Sequence, residues 1–160
     1  SVAEAAELSG QFEVVGFLDD ALSAGESVLN VAALGPMASM ANHRVAADQV
    51  IVAIGTNDVR EKLMQQLAAT GFALATVVHP RAIVSPSAVW SGGSAVMAGA
   101  IVGTEARLGV GSIVNCGTVL GRGAWMQTGA ALGYGMEVPP GVTLAPGEAM
   151  ESKTNKYKND

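Results

Sequence analysis

The sequence contains little charge and few aromatic side chains. Charged residues make up 14% and aromatic residues 4% of its 160 residues, and the net charge is −5. No cluster of lysine and arginine precedes the C-terminal tail, which argues against nucleic acid as a partner. The single cysteine, Cys116, excludes an internal disulfide and suits a reducing compartment. Together with two histidines it forms no metal-ligand pattern, so no metal is predicted.

Long apolar runs are also missing. The longest, such as residues 49–55, fall far short of the ~20 residues that span a bilayer, so no membrane segment is predicted. The first residues lack the charged and then apolar pattern of a signal peptide. Together with the lone cysteine, these absences predict a cytoplasmic protein.

What the sequence does have is glycine, 20 residues of it, and a six-residue repeat. From residue 84 to residue 150 every sixth position is apolar, and glycine follows most of these positions three residues later. Small residues precede most of them by two positions. The apolar series comprises Val84, Trp90, Val96, Val102, Leu108, Val114, Leu120, Met126, Leu132, Val138, Leu144 and Met150. A fixed hexapeptide period of this kind predicts a β-helix.

The period excludes simpler structures. In a helix, six steps of about 100° turn a side chain to the opposite face, so the apolar series would alternate between two faces. A flat strand would need apolar residues at every second position, and glycine interrupts each block. A triangular prism suits all the positions, because the bulky residue points inward, the small one fits a crowded inner site and glycine supplies positive φ at the corner. Three hexapeptides form one coil, and about four coils stack as parallel strands do.

Residues 1–78 follow a different pattern, typical of a small α/β unit. Helices and buried strands alternate, which predicts a small parallel sheet. The helices are predicted at 2–8, at 36–43 and from Asp58 onward, and the strands at 12–18, 49–54 and 72–78. The last helix would bury Val59, Leu63 and Leu67 and end near Gly71.

In a sheet of this kind, ligands lie beyond the carboxyl ends of the strands. That rim would carry Asp19, Asp20, Gly55, Thr56 and Asn57, and the N-terminus of the following helix would be available to an anion. The alternative is that Asp20 and Asn57 only cap turns. The sequence supports the two interpretations equally.

Several short motifs resemble one family. They are VVGFLDD at 14–20, VAIGTN at 52–57 with Arg60, His79-Pro80, SPSA at 85–88, VMAGAIV at 96–102 and IVNCG at 113–117. With them, residues 2 to about 145 resemble the nucleotide-sugar acetyltransferases of the bacillosamine N-acetyltransferase and sialic acid O-acetyltransferase type. The resemblance implies a nucleotide-binding α/β domain at 1–78, a left-handed β-helix at 79–150 and a polar tail at 151–160.

The resemblance also implies an activity. Members of this family transfer acetyl from acetyl-CoA to an amine or hydroxyl of a nucleotide sugar, and they form homotrimers with acetyl-CoA between neighbouring prisms. By matching positions, the nucleotide side of the site would be lined by Asp19, Asp20, Gly55 and Asn57. Asn115 would lie near the acyl group.

Three further residues are candidates for binding CoA. Arg107 and Arg122 are suited to contact its phosphates, although Arg122 could equally be a solvated surface residue. Trp125 is off the inward repeat, so it would cover a CoA groove or a trimer interface. Trp90 and Met126 are on the inward repeat and are predicted in the core.

Two features depart from the family pattern. The family begins with a strand and a Gly-x-Gly-Gly-His-Gly turn, whereas this sequence begins after that point, so the chain is either truncated before Ser1 or has another segment in place of that strand. The family's general-base histidine is also absent. Without a gap Arg122 occupies its position, and with a gap a coil that carries it has been lost near residue 121.

The missing histidine bears on activity. Arginine stays protonated near pH 7 and cannot take a proton from the acceptor. The two histidines, His43 and His79, are predicted to be structural, and Cys116 to be a small buried residue with no base beside it. Three hypotheses follow: an acetyl-CoA-dependent acyltransferase, a catalytically impaired relative that binds a nucleotide or acyl-CoA, and a purely structural trimer.

Overall fold

The structure, a computed structural model, describes residues 1–151. The predicted polar tail lies outside the described residues except for Glu151, which is exposed. Among residues 1–151, no helix is both long and apolar enough to cross a bilayer.

The N-terminal part contains short elements in the predicted alternation. They are α1 (Val2–Leu8), β1 (Phe17–Leu18), β2 (Ser27–Val28), β3 (Val31–Gly35), a 3₁₀ helix at Met37–His43, β4 (Gln49–Val50), α2 (Asn57–Ala68) and β5 (Ala73–Leu74). A capping box formed by Ser1 and Glu4 begins α1. All three predicted helices are present.

The single parallel sheet predicted here is wrong in detail, because the structure has two smaller sheets. β1 pairs with β3, which also pairs with β2, whereas β4 pairs with β5. Within residues 1–151 no strand joins β1 to β4, so most of the predicted strands 12–18 and 49–54 have no ladder partner. The predicted strand 72–78 divides into β5 and a strand that joins the β-helix.

The β-helix confirms the hexapeptide prediction. Its two-residue strands form three parallel sheets, one for each prism face. The covered face contains β6 (Val77–Val78), β9 (Ala95–Val96), β12 (Ile113–Val114), β15 (Ala131–Leu132) and β18 (Ala149–Met150). The isoleucine face contains β7 (Ile83–Val84), β10 (Ile101–Val102), β13 (Val119–Leu120) and β16 (Glu137–Val138). The tryptophan face contains β8 (Val89–Trp90), β11 (Arg107–Leu108), β14 (Trp125–Met126) and β17 (Thr143–Leu144).

Stacking is in register, so like residues lie above like residues. Ile101 pairs with Val119, eighteen residues later, and Leu108 pairs with Met126. The second residue of each strand points inward, and from Val96 to Leu144 these side chains form one buried column. Met126 is in this column, as predicted. Each methylene group buried in such a column contributes about 0.8 kcal/mol of favourable transfer free energy.

Trp90 differs from its prediction as a core residue. It is on the inward repeat, but it belongs to the first strand of the tryptophan face and is 45% exposed. Within residues 1–151 no strand precedes β8 on that face, so the indole lacks a strand neighbour on that side. The repeat therefore identifies the direction of the side chain, and its position in the stack decides its burial.

Glycine forms the prism corners, as the sequence predicts. The corner glycines Gly93, Gly99, Gly111, Gly117, Gly123, Gly129, Gly135, Gly141 and Gly147 have φ between 63° and 79°. An L-residue is strained in this left-handed conformation, and glycine is not.

The N-terminal part packs on the covered face and along one corner. Ala5 and Ala6 of α1 share an apolar cluster with Val77, Ala95 and Ile113, so both residues of several strands on this face are buried. α2 lies along the corner between the tryptophan and covered faces, which we call the helix corner (Gly93, Gly111, Gly129 and Gly147). The isoleucine and tryptophan faces have no such cover within residues 1–151.

Candidate functional site

A groove of about 590 Å³ follows the tryptophan face. Arg107 and Trp125 lie side by side on its floor, because they are register partners in neighbouring strands. Neighbouring strands are about 4.8 Å apart, so the guanidinium and the indole belong to one surface. Glu105 and Ser87 form the edge of the groove at the corner with the isoleucine face, which we call the groove corner (Ser87, Glu105, Gly123 and Gly141).

Arg122 lies at the groove corner. Its Nε is 3.6 Å from Glu105 Oε2, and the two side chains are 73% and 63% exposed. An ion pair this exposed contributes about 0–1 kcal/mol, so it leaves the guanidinium available to a ligand. Of the three residues predicted for CoA, Arg107 and Trp125 line the groove, and Arg122 lies at its corner beside Glu105.

Asn115 lies elsewhere. It follows the covered face, whereas Arg122 follows the next strand, so the two residues are at opposite edges of the isoleucine face. The Asn115 amide donates to the Leu132 carbonyl of the next coil at 2.8 Å. Cys116 beside it packs against the apolar cluster that contains α1, but it is half-buried, whereas the sequence predicts a buried residue.

Neither histidine is at the groove. His79 Nδ1 accepts the Arg81 N–H at 3.0 Å, just before the first strand of the isoleucine face. His43 Nε2 is 3.3 Å from Ser39 Oγ in the 3₁₀ helix. Both make the local contacts predicted for structural histidines. Among residues 1–151, no three histidine, cysteine or acidic side chains are grouped in a way that could hold a metal ion.

A second cleft, of about 390 Å³, lies between the 3₁₀ helix and α2. Asp20 lines it together with Val59 and Lys62. The Asp20 carboxylate accepts the Met37 N–H at 2.8 Å, and Asp19 accepts the Ala21 N–H at 2.7 Å. Asp20 thus caps the start of the 3₁₀ helix, in line with the capping alternative stated for it, although it still lines the cleft.

Gly55 and Asn57 lie at the start of α2. Gly55 is exposed and faces open space. Asn57 is bonded at both ends of its amide: its oxygen accepts from Arg60 at 2.6 Å, and its nitrogen donates to the Gly147 carbonyl of the β-helix. Asn57 therefore attaches α2 to the prism.

Arg60 is the residue that the sequence interpretation missed. Its side chain is fully buried and donates to the carbonyls of Ile54, Gly55, Gly111 and Gly129 as well as to Asn57. Burial lowers the pKa of the Arg60 guanidinium below its usual value, yet an arginine stays protonated in proteins. Five acceptors thus surround a buried charge that has no carboxylate partner among residues 1–151.

The helical spacing of α2 carried the missed signal. Val59, predicted in the core, is exposed, and Arg60 takes the inward position with Leu63 and Leu67. Residues 60, 63 and 67 fit one face of a helix. An arginine on that face is nevertheless predicted to be exposed, because its hydrogen-bond acceptors cannot be identified from the sequence.

Arg60, Asn57 and Met64 fix the direction of α2 along the prism. Met64 packs so closely on Gly111 that a Cβ there would overlap its sulfur, whereas Asn57 reaches Gly147 two coils further on. Twelve helical residues rise ~18 Å, and the three coil spacings from Gly93 to Gly147 amount to ~14 Å. The helix therefore runs antiparallel to the direction in which the coils stack.

Comparison with known proteins agrees with both parts of this architecture. Residues 1–67 match the PglD N-terminal domain family. A histidine-to-asparagine variant of perosamine N-acetyltransferase from Caulobacter crescentus, in complex with CoA and GDP-perosamine, is 28% identical with a TM-score of 0.88. The match covers 94% of this chain and 70% of that one.

A second solved structure is the acetyltransferase domain of PglB from Neisseria gonorrhoeae in complex with acetyl coenzyme A. It is 29% identical, with a TM-score of 0.62, and the match covers 94% of this chain and 86% of that one. The resemblance noted in the sequence is thus supported by the N-terminal match and by the whole fold. The chain is similar to nucleotide-sugar acetyltransferases in its PglD-type N-terminal domain, matched over residues 1–67, and in its left-handed β-helix.

Proposed function

We propose that this protein transfers an acetyl group from acetyl-CoA to the amine of a nucleotide sugar. The observation that carries the proposal is the groove on the tryptophan face, where Arg107 and Trp125 form the floor and Arg122 contacts Glu105 at the corner, in a chain whose fold is similar to that of nucleotide-sugar acetyltransferases. The related perosamine enzyme was solved with CoA and GDP-perosamine, and the PglB domain with acetyl-CoA.

The groove suits CoA chemically. Arg107 and Arg122 would bind its phosphates, since guanidinium groups form charge-assisted and often bidentate bonds with phosphate. Trp125 would pack against the adenine or the pantetheine arm, where an aromatic surface contributes apolar contact. Asn115, at the far edge of the isoleucine face, would approach an acyl group only across that face or from a neighbouring copy.

The nucleotide would occupy the second cleft. Asp19 and Asp20 are at its edge or beside it, Gly55 leaves room for a ligand near α2, and Lys62 supplies positive charge for a phosphate. Asn57, engaged with Arg60 and Gly147, would hold the Gly55 loop in place and make no direct contact with the ligand.

The chemistry limits the expected rate. As the amine attacks the thioester carbonyl carbon, it must lose a proton, and CoA leaves as the thiol. In the alignment without a gap Arg122 occupies the position of the family's histidine, and it cannot accept that proton. A missing general base lowers the rate by about 10²–10⁴-fold, so binding would be retained while transfer is slow. This is the specific observation that favours a catalytically impaired relative as the second candidate.

We further propose that the protein is a homotrimer. Ile83 is 66% exposed and Ile101 40% on the isoleucine face, and Val119 continues the same row. A row of this kind packs well against a neighbouring prism in cyclic symmetry, and a groove between copies would enclose CoA. The proposed location is the cytoplasm, because the lone thiol of Cys116 suits a reducing compartment.

Two measurements test the proposal. Calorimetric titration with acetyl-CoA reports cofactor binding, and an acetyl-transfer assay with GDP-perosamine and UDP-linked amino sugars reports turnover. Binding with transfer supports the acetyltransferase, and binding without transfer selects the impaired relative. Absence of binding to acetyl-CoA, UDP, GDP and their sugars would leave a structural trimer as the remaining candidate.

A further inference from the structure

One residue breaks the regularity of the prism corners. Between Gly93 and Gly147, each corner position in the left-handed conformation is glycine except Glu105, which has a φ of 58°. A side chain in this conformation is strained, and such strain is characteristic of functional positions when the surrounding structure holds it in place. The sequence thus carries a carboxylate where the fold favours glycine.

The backbone of Glu105 has its own support. At neighbouring corners the glycine N–H donates to a main-chain carbonyl of the preceding coil, as Gly123 does to Thr104 and Gly141 to Arg122. The Glu105 N–H donates to the Ser87 hydroxyl instead, at 3.1 Å. Ser87 Oγ is also 3.1 Å from Ser85 Oγ. Two serines of the preceding coil therefore stabilise this corner.

The carboxylate faces the groove and is lightly engaged. Glu105 lines the groove together with Arg107 and Trp125, and it is the acidic residue of that lining. Its contact with Arg122 is 3.6 Å long and exposed. Within residues 1–151, Glu105 Oε1 has no hydrogen-bond partner, so its lone pairs are available to a ligand.

The charges of the groove describe the ligand that fits it. Arg107 and Arg122, proposed above to bind CoA phosphates, attract anions, whereas the Glu105 carboxylate on the same groove repels them. Glu105 therefore suits a second group, one that is cationic or donates hydrogen bonds. The amine of the acceptor sugar is such a group, because it is largely protonated near neutral pH and an ammonium binds a carboxylate through charge-assisted hydrogen bonds.

We propose that Glu105 binds the amine of the acceptor sugar and thereby selects amino sugars over sugars that carry a hydroxyl at the same position. This inference rests on the proposed function and adds a specificity-determining residue to it. The strained corner places the carboxylate beside the Arg122 guanidinium, on the groove proposed for CoA.

Calorimetric titration tests the role of Glu105 without requiring turnover. The probes are GDP-perosamine and a UDP-linked 4-amino sugar, each compared with the matching nucleotide sugar that has a hydroxyl in place of the amine. We expect the unaltered protein to bind at least one amino sugar about tenfold more tightly than its hydroxyl partner. Glu105→Gln and Glu105→Gly should lose this preference, and Glu7→Gln, on the exposed side of α1, should keep it.

The two variants also separate binding from stability. Glu105→Gly removes the strain as well as the carboxylate, so its midpoint of thermal unfolding should rise, whereas Glu105→Gln retains the strain. An unchanged amine preference in Glu105→Gln overturns the inference and leaves the proposed function intact, because acetyl-CoA binding is measured separately. If the unaltered protein binds neither amino sugar, the inference fails together with the acceptor half of the proposed function.

Discussion

The β-helix and the N-terminal part of this protein bury their apolar side chains in different ways. In the β-helix each inward residue contacts its equivalent in the coils before and after, and the column from Val96 to Leu144 is continuous. In the N-terminal part a smaller cluster of Met40, Val52, Leu63 and Leu67 lies between the 3₁₀ helix and α2. Its strands form two separate sheets.

This difference teaches where each part gets its stability. A stack of coils gains one equivalent interface for each coil, as repeat proteins do. The N-terminal part has few such contacts within itself, and it depends on the covered face and on the helix corner for its position. We therefore expect the two parts to respond differently to substitution.

The largest effect is expected from Arg60→Leu. It would leave the carbonyls of Gly111 and Gly129 buried without donors, and we expect a loss of about 3 kcal/mol or more in the docking of α2. Hydrogen exchange should show faster exchange of α2 amides, while amides of the stacked strands keep their protection. Arg81→Leu, at an exposed site, is the matched control, and equal protection of α2 in both variants would contradict this account.

The next effect compares the two cores directly. Leu120→Ala in the prism and Leu67→Ala in α2 remove the same atoms from fully buried sites, each at a cost of about 2–5 kcal/mol. Differential scanning calorimetry should show that Leu67→Ala lowers an early transition of the N-terminal part. Leu120→Ala should lower the transition of the β-helix. One common transition for both variants would mean that the two parts unfold as a unit.

A smaller effect compares two glycines. Gly117 is at a corner with φ of 69°, and an added Cβ would meet nothing closer than 3.9 Å, so Gly117→Ala tests backbone strain alone. We expect it to destabilise the protein by about 1 kcal/mol. Gly55→Ala is the control, because Gly55 has open space around it and no positive φ. Urea unfolding measures both, and equal midpoints would argue against corner strain.

The smallest change in the stability of one chain is expected from Ile101→Glu, since surface substitutions usually alter it by less than about 0.5 kcal/mol. Its effect should be on assembly, because a charge in the exposed row of the isoleucine face opposes packing between prisms. Light scattering should show a trimer for the unaltered protein and a monomer for the variant. Lys62→Glu, on the outer side of α2, serves as the control and should remain trimeric.

The sequence predicted the β-helix well because its signal is repeated. The apolar position recurs in every hexapeptide from residue 84 to residue 150, and the corner glycine and the small residue recur in most, so single exceptions do not hide the pattern. Trp90 shows the limit, since its repeat position is correct but its burial depends on the end of the stack. In the N-terminal part each element occurs once, and the division into two sheets depends on pairing that no local pattern encodes.

The candidate site was predicted only in part, for a related reason. Arg107, Arg122 and Trp125 could be recognised by residue type, and the coil geometry places them in the groove or at its corner. Arg60 and Asn57 depend on acceptors that are distant in sequence, namely the carbonyls of Gly111, Gly129 and Gly147. Glu105 is visible in the sequence as the residue that interrupts the series of corner glycines. Its position at the groove, however, could be seen only in the structure.

The attachment of α2 to three successive coils limits how the length of this protein can vary. The hexapeptide register alone would tolerate the loss or gain of any whole coil. If eighteen residues between Gly111 and Gly129 were removed, Gly147 would take the place of Gly129 beside Arg60, and Asn57 would lose its present bond to the Gly147 carbonyl. Lineages of this fold should therefore gain or lose coils beyond the reach of α2, and the stretch alongside it should keep a constant number.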